Sequence, residues 1–283
     1  MVDYKEVERK AKEISKEKNI DYYELLQRFM FERVLERLSV SKYNDNFILK
    51  GGLLLSAMFG VDNRTTKDMD TTIKGLNIDK ENIVNVLNEI LSINLHDGVK
   101  FDLIDITDIR EDDQYGGNKY HIIGRLQNMK VNLEIDISTG DKVTPRELKY
   151  KYSLLFDNKS IIINSYNVET ILSEKIETVL KRGIYNSRMK DYYDIYMFIN
   201  NFYNEINYDN WLLAMKNTFE HRNSMDVLND YKTILNELKE SERLNNLWNK
   251  YIAKRSYANN IKFINIIKSL DNFLENNLLI VYN

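Results

Sequence analysis

Apolar side chains in the first part of the chain recur at the spacing of amphipathic helices. Residues 3–18 and 21–39 both show this spacing, which predicts two helices near the N-terminus. A short third helix is predicted in the run LLLSAMF, directly after Gly51 and Gly52. A fourth helix, amphipathic throughout, is predicted at 80–93.

Apolar and polar side chains alternate in several other segments of the first half, which predicts a sheet. The predicted strands are 68–73, 99–106, 119–126, 130–137 and 160–165. The segment Gln127–Met129 is short enough to join two of them as a hairpin. From Val168 onward only helical patterns appear. We therefore expect a sheet lobe with N-terminal helices at 1–165 and a helical lobe at 166–283.

The composition is that of an ordinary globular protein, with 43% hydrophobic and 29% charged residues. No apolar run is long enough to span a membrane, and the first residues lack the apolar core of a signal peptide. We therefore expect a cytoplasmic protein that has no membrane partner. The absence of cysteine excludes disulfides, thiolate metal sites and cysteine nucleophiles. The histidines are scattered without metal-ligand spacing, at His96, His121 and His221.

The formal net charge of −3 does not by itself indicate nucleic-acid binding. Two local stretches are basic, Arg146–Lys151 and Lys181–Lys190, and they are interleaved with Tyr150, Tyr152 and Tyr185. Cations and aromatic rings in this arrangement could follow an RNA backbone. Ordinary solvated faces have the same composition, so both interpretations stay open.

Asp68 and Asp70 stand at alternate positions of a predicted strand. Side chains two residues apart in a strand point to the same face, so the two carboxylates project together. Carboxylates this close repel each other and usually need a cation between them. Mg²⁺ suits the position because it takes oxygen ligands and shares its coordination shell with substrate phosphates. A solvated acidic surface is the alternative.

A two-metal arrangement needs a third carboxylate from a neighbouring strand. In 130–137 the apolar residues share one face, which leaves Asn132, Glu134 and Asp136 on the other. We prefer Asp136 to Glu134, because Asp136 lies at the end of the strand, where the edge of a site is expected. Asp141 follows shortly after and is expected to support the metal ligands.

Lys50, Gly51 and Gly52 precede the predicted third helix. Because glycine lacks a side chain, its backbone N–H can approach an anion closely, and a helix start presents positive charge. The pattern therefore predicts a phosphate-binding site. Glycine used only for the conformation of the helix start is the alternative.

Lys175 follows Leu172 by three residues and precedes Val179 by four, so it lies on the inward side of its helix. A triphosphate would explain an inward lysine, and so would a side chain that extends its ammonium group to water. Asp191 and Asp194 share a face of the following helix. Asp191 could bind a nucleotide or orient Lys175, and pairing with a neighbouring cation is the simpler explanation.

Four blocks between residues 31 and 198 match one known pattern in the same order. They are ERVLERLSVSKYNDNFILKGGLLL, NRTTKDMDTTI, QYGGNKYHIIGRL with VNLEIDISTGDKVTP, and LSEKIETVLKRGIYNSRMKDYYDIY. In these blocks the chain resembles the AbiEii/AbiGii-type nucleotidyltransferase toxins of type IV toxin–antitoxin and abortive-infection systems. The resemblance implies an α+β fold of the DNA polymerase β nucleotidyltransferase superfamily: a mixed sheet with flanking helices, followed by an all-helical C-terminal lobe.

The resemblance also implies roles for individual residues of the first lobe. Gly51 and Gly52 would contact the triphosphate, and Asp68 and Asp70 would hold Mg²⁺, for which Mn²⁺ could substitute. Many superfamily members have Gly-Ser where this chain has Gly-Gly. Because the nearest serine, Ser56, lies a full helical turn away, no serine is assigned to the phosphate site.

In the helical lobe the resemblance makes Lys175 the essential lysine and either Asp191 or Asp194 the essential aspartate. Asp136 would correspond to the third strand carboxylate that is common in the superfamily.

These residues predict Mg²⁺-dependent transfer of a nucleoside monophosphate from an NTP to a hydroxyl acceptor. A metal on Asp68 and Asp70 would neutralise charge on the leaving pyrophosphate, and Lys175 and Arg64 would add positive charge. Asp136 would help to deprotonate the attacking hydroxyl. The resemblance implies that the acceptor is RNA, notably the 3′ end of tRNA, so that translation and growth stop in phage defence. It also implies a cognate antitoxin.

Two other functions fit the same residues. Clustered carboxylates also activate water, so a metal-dependent nuclease or phosphohydrolase is one alternative. The other is a nucleotide-binding module without catalysis that engages a partner protein.

Overall fold

The computed structural model describes residues 2–76, 79–109 and 116–278. The chain divides into two compact units: Met1–Asp141 with Glu147–Ser165, and Lys142–Arg146 with Tyr166–Asn283. The segment Lys142–Arg146 thus groups with the second unit, whereas the sequence boundary after residue 165 assigns it to the first. Gln114 and Tyr115 of the third sequence block lie outside the described residues.

The described residues of the first unit form four α-helices: α1 (Tyr4–Lys18), α2 (Tyr22–Val40), α3 (Gly51–Phe59) and α4 (Lys80–Leu91). Three of them start where an aspartate side chain accepts a hydrogen bond from a backbone N–H of the first turn. These N-caps are Asp3, Asp21 and Asp79. The predicted helices are confirmed, with ends that differ by one or two residues.

The first unit also contains a seven-stranded mixed sheet in the order β3-β4-β5-β2-β1-β7-β6. Its strands are β1 (Phe47–Lys50), β2 (Asp68–Ile73), β3 (Val99–Asp108), β4 (Gly117–Leu126), β5 (Met129–Thr139), β6 (Leu148–Ser153) and β7 (Ser160–Ser165). Strand β2 pairs in parallel with β5, and β1 pairs in parallel with β7. The other neighbours are antiparallel. The expectation of a mixed sheet flanked by helices is confirmed.

The sequence analysis missed two strands, β1 and β6. Strand β1 has four residues, and its apolar residues are buried without alternation, so it shows no period of two. Strand β6 was interpreted only as a basic stretch because lysine and tyrosine dominate it. It is an edge strand that pairs with β7 alone, and charged residues are common at such edges.

Helix α2 is buried along most of its length, including three arginines. Arg28 Nε lies 2.8 Å from Glu32, and the Arg37 guanidinium makes two hydrogen bonds of 2.9 Å to Asp97. Arg33 pairs with Asp157. Two of these arginines, Arg33 and Arg37, belong to the first sequence block, and their carboxylate partners leave neither buried charge uncompensated.

Seven helices form the second unit in the described part of 166–278. They are α5 (Val168–Arg182), α6 (Met189–Asn201), α7 (Tyr208–His221), α8 (Met225–Asn229), α9 (Tyr231–Glu240), α10 (Glu242–Ile252) and α11 (Phe263–Leu278). Lys142–Arg146 is attached to the start of α5, where Asn167 Nδ2 donates to the carbonyls of Thr144 and Arg146. The expected all-helical C-terminal region is confirmed for these residues. None of the described helices is long and apolar enough to cross a membrane.

Arg37→Met should lower the free energy of unfolding by about 3–5 kcal/mol, because it leaves Asp97 buried without its cation. Burial raises the pKa of Asp97, but Arg37 and the N–H of Val99 lower it by more, to below its ordinary value. A carboxylate whose pKa is lowered on folding stabilises the fold at pH values above its unfolded pKa of about 3.9. The deficit, measured by urea denaturation, should therefore be largest near neutral pH and shrink as pH falls through the folded pKa.

Lys42→Met is the matched control, since Lys42 pairs with Glu89 and both side chains are more than half exposed. Its loss should not measurably change the urea midpoint. Equal effects of the two substitutions would show that the buried pair contributes no more than the surface pair.

Candidate active site

The sheet brings the predicted strand carboxylates together in the first unit. In the parallel pair of β2 and β5, Asp70 stands opposite Asp136 and Asp68 stands opposite Glu134. Neighbouring strands lie about 4.8 Å apart, so these side chains are adjacent on one face of the sheet. Asp136 is more enclosed than Glu134, with side-chain exposures of 21% and 48%.

Burial and the close approach of the carboxylates raise the pKa of two of them. Burial, followed by Asp68 and Asp136, raises the pKa of Asp70 to about 6, although Lys50 and the N–H of Gly52 act in the opposite direction. Burial also raises the pKa of Asp136, and Lys119 offsets this in part. This face of the sheet therefore attracts a cation.

The carboxylates of Asp68, Asp70 and Asp136 are oxygen ligands of the kind that Mg²⁺ takes. Among the described residues, no three His, Asp or Glu side chains are arranged to hold a metal ion as they stand. However, Mg²⁺ in nucleotide sites needs only one or two carboxylates, because phosphates and waters complete its shell. The Oδ1 atom of Asp136 is also buried, and Lys119 Nζ lies 3.3 Å from it. Carboxylate oxygens of this kind fit Mg²⁺. Binding of Mg²⁺ by Asp68 and Asp70 stays a prediction.

Asp136 pairs with a lysine in this structure. Lys119 Nζ, on strand β4, lies 3.3 Å from Asp136 Oδ1 and 2.7 Å from Glu134 Oε2. Sequence patterns could not predict this pair, because it depends on the register between β4 and β5. The role of Asp136 as a proton acceptor or metal ligand stays a prediction.

The double glycine lets the start of α3 lie directly on Asp70. Gly51 has a φ of +65°, and a Cβ atom placed there would be 1.9 Å from Asp70 Oδ2. The N–H of Gly52 donates to the same oxygen at 3.3 Å. The close packing at this point therefore explains why both positions are glycine. The positive start of the helix faces Asp70. Their contact with a triphosphate stays a prediction.

Thr66 is a site residue that the sequence analysis missed. Its hydroxyl donates to Asp68 Oδ1, and a Cβ atom at Gly52 would lie 2.4 Å from that hydroxyl oxygen. Thr66 therefore fills the space above Gly52 and holds Asp68 in place. The available signal was the regular spacing of Thr66, Asp68 and Asp70 at every second position.

Lys50 has protein partners. Its Nζ donates to Ser138 Oγ at 2.8 Å and to Asp141 Oδ2 at 2.6 Å, and the Asp141 side chain is 1% exposed. Asp141 thus holds Lys50, and Lys50 in turn stabilises the ionised form of Asp70. Asp141 was expected to support the metal ligands, and within this network it acts through the lysine.

Arg64 is buried, and its guanidinium donates to the carbonyl of Thr65. It therefore stabilises the loop that leads into β2. The predicted contact between Arg64 and a nucleotide stays a prediction.

The second unit contains a buried charge cluster around Lys175. Its Nζ lies 2.7 Å from Asp191 Oδ1 and 2.8 Å from Asp194 Oδ2, and the lysine side chain is 14% exposed. Arg188 Nε lies 3.1 Å from the other oxygen of Asp191. The alternative in which Lys175 extends its ammonium group to water is therefore wrong, because two buried carboxylates hold that group.

The two aspartates keep Lys175 protonated. Burial lowers the pKa of Lys175, but Asp191 and Asp194 raise it by more, so the pKa lies above its ordinary value. Asp191 thus orients Lys175, which was one interpretation of the sequence. It also pairs with Arg188, which confirms the interpretation that it pairs with a neighbouring cation. Asp194 is fully buried and contacts the same ammonium group. Binding of a triphosphate by Lys175 stays a prediction.

Gly51→Ala should destabilise the protein by more than the 1–2 kcal/mol or so that a left-handed backbone costs an L-residue. The added Cβ must also displace Asp70. Gly75→Ala is the matched control, because its φ is +71° but its Cβ would meet no atom closer than 3.7 Å. Urea denaturation of both variants isolates the contact with Asp70. Equal losses of stability would contradict the close approach.

Lys175→Met should lower the free energy of unfolding by about 3–5 kcal/mol, because it leaves two buried carboxylates without their cation. Adding Asp191→Asn and Asp194→Asn should recover much of this loss. Lys181→Met on the same helix is the control, since its side chain is 35% exposed and 3.6 Å from Glu177. Its effect should stay within about 1 kcal/mol. A Lys175→Met protein as stable as wild type would contradict the buried cluster.

Comparison with known proteins places the chain in a family. A model of the family "Nucleotidyl transferase AbiEii toxin, Type IV TA system" matches residues 33–276. Among solved structures, JHP933 from Helicobacter pylori is 15% identical, with 90% of this chain and 98% of that chain covered and a TM-score of 0.45. An antigenic nucleotidyltransferase-like protein from Paracoccidioides brasiliensis is 15% identical, with coverages of 84% and 93% and a TM-score of 0.35. The search of curated proteins finds no match.

The family match extends over most of the chain and includes both the strand carboxylates and the Lys175 cluster. The chain therefore belongs to the AbiEii nucleotidyl transferase toxin family of type IV toxin–antitoxin systems, as a nucleotidyltransferase toxin with an antitoxin partner and a nucleotide substrate.

Proposed function

We propose that this toxin transfers a nucleoside monophosphate from an NTP to the 3′ end of an RNA, with tRNA as the acceptor class, in a Mg²⁺-dependent reaction. The observation that supports the proposal is the grouping of carboxylates on one face of the sheet, with Asp68 and Asp70 on β2, Asp136 on β5, and the pKa of Asp70 raised to about 6. Modified tRNA would stop translation and growth, which fits a role in phage defence.

Each part of the reaction has a candidate residue. When bound by Asp68 and Asp70, Mg²⁺ supplies positive charge to the phosphates and the leaving pyrophosphate. The backbone N–H groups of Gly51 and Gly52 add the positive end of α3, which favours an anion. These groups hold the triphosphate in position for attack.

Asp136 is the proposed proton acceptor for the acceptor hydroxyl. Its raised pKa makes it a stronger base than an exposed aspartate. As the hydroxyl oxygen forms its bond to the α-phosphorus, the proton passes to a carboxylate oxygen of Asp136. The bond between the α-phosphorus and the bridging oxygen breaks, and its electron pair leaves with pyrophosphate.

Purified protein, incubated with Mg²⁺, total tRNA and each labelled NTP in turn, should label the RNA and release pyrophosphate. Asp70→Asn should lower the transfer rate by about 100-fold or more, because it removes a charge that positions the reacting phosphates. Asp102→Asn is the matched control: Asp102 is a half-exposed carboxylate on β3 of the same sheet, paired with Arg125. Its rate should equal that of wild type.

The same assay separates the alternative functions. No transfer with any NTP, in Mg²⁺ or Mn²⁺, would contradict the proposal. RNA shortened without added NTP would indicate a nuclease. Nucleotide binding that persists in Asp70→Asn, without product from either protein, would indicate a non-catalytic binding module.

A further inference from the structure

Strand register places a row of four charged residues across the sheet. Lys50 of β1 stands opposite Asp70 of β2. Asp70 stands opposite Asp136 of β5, which in turn stands opposite Lys119 of β4. Because opposed residues of neighbouring strands project to the same face, the two aspartates of the row lie between the two lysines. The protein thus places cations of its own on both sides of the expected metal ligands.

The two lysines differ in what they contact. Lys50 Nζ lies 2.6 Å from the buried Asp141, which follows the end of β5. Lys119 Nζ contacts two carboxylates within β5 itself, at 3.3 Å from Asp136 Oδ1 and 2.7 Å from Glu134 Oε2. Lys119 therefore joins two acidic side chains of one strand, which is what a bound cation does between neighbouring carboxylates.

Lys119 is enclosed together with Asp136, and it keeps its charge. The side chains of Lys119 and Asp136 are 27% and 21% exposed. Burial lowers the pKa of Lys119, but Glu134 and Asp136 raise it by more, so the pKa lies above its ordinary value. The ammonium group is therefore a lasting positive charge beside Asp136 Oδ1.

A second divalent ion at Asp136 would compete with this lysine. In two-metal sites the ions lie about 3.5–4 Å apart. On this face of the sheet, Asp136 is the carboxylate that a second ion would need in addition to Asp68 and Asp70. An ion on Asp136 Oδ1 would lie directly beside the ammonium group of Lys119, and like charges this close repel each other.

We propose that Lys119 takes the place of a second metal ion beside Asp136, so that the site binds a single divalent cation, on Asp68 and Asp70. Lys119 is then a positioning residue that holds Asp136 in place as a direct proton acceptor. The inference rests on the proposed function for the reaction that it deepens. The number of bound ions, however, can be measured without nucleotide or RNA.

The test uses the full chain with Mn²⁺ alone as the probe, and EPR spectroscopy counts the bound ions and detects coupling between them. Wild type should bind one Mn²⁺ and give the spectrum of an isolated ion. Lys119→Met removes the ammonium group and should bind two. These two ions should be spin-coupled, because ions of a two-metal site lie only about 3.5–4 Å apart. A second Mn²⁺ elsewhere on the protein would not produce this coupling.

Two further variants separate the charge of Lys119 from a general effect of substitution. Lys119→Arg keeps a cation beside Asp136 and should bind one Mn²⁺, as wild type does. Arg125→Met is the matched control, because Arg125 lies on the same strand and the same face and pairs with Asp102 across to β3 at 2.9 Å. This variant should also bind one ion. Urea denaturation checks that each variant is folded.

The wild-type count tests the inference without any variant. Two coupled ions in wild type would overturn it, and so would the absence of Mn²⁺ binding. A single ion in folded Lys119→Met would overturn it as well, because removal of the ammonium group would then have opened no second position. A coupled pair in Lys119→Arg or in Arg125→Met would show that the charge at residue 119 does not set the number of ions.

The transfer assay distinguishes failure of this inference from failure of the proposed function. One ion in wild type and a coupled pair in Lys119→Met, without nucleotide transfer, would refute the proposed reaction and leave the role of Lys119 in place. Transfer by a wild-type protein that holds two coupled ions would refute the role of Lys119 and leave the reaction in place.

Discussion

The repulsion among half-buried carboxylates on one face of the sheet is the constraint on which the first unit depends. Asp68, Asp70 and Asp136 come together only because β2 and β5 are parallel neighbours in one particular register. Bringing like charges this close is unfavourable, and the fold partly compensates with the start of α3, with Lys50 and with Lys119. The compensation is incomplete, since the pKa of Asp70 stays raised to about 6.

The rest of the molecule treats buried charge differently. In α2 each buried arginine has a carboxylate partner, and Lys175 in the second unit has two. Such pairs are costly to break but leave little net charge. The two kinds of charged cluster therefore differ. The paired clusters leave no buried charge uncompensated, whereas Asp70 and Asp136 keep raised pKa values.

Local patterns in the sequence predicted most of the elements and the main carboxylates. The alternation of Asp68 and Asp70 sufficed to place both on one face, and the helical spacing of Lys175 sufficed to place it inward. The sequence suggested Asp191 as a partner of Lys175, but the other partners of these residues could not be predicted. Whether Lys119 reaches Asp136, or Lys175 reaches Asp194, depends on register and packing between segments that are distant in sequence. Strand β1 was missed because four residues carry too little periodicity.

The contact between Gly51 and Asp70 links two positions that lie nineteen residues apart in the chain. No space remains for a side chain at residue 51 while an aspartate occupies residue 70 in this conformation. The two positions therefore cannot vary independently during evolution. A lineage that placed any larger residue at 51 would first have to shorten or move the carboxylate at 70, and it would lose a candidate metal ligand by doing so.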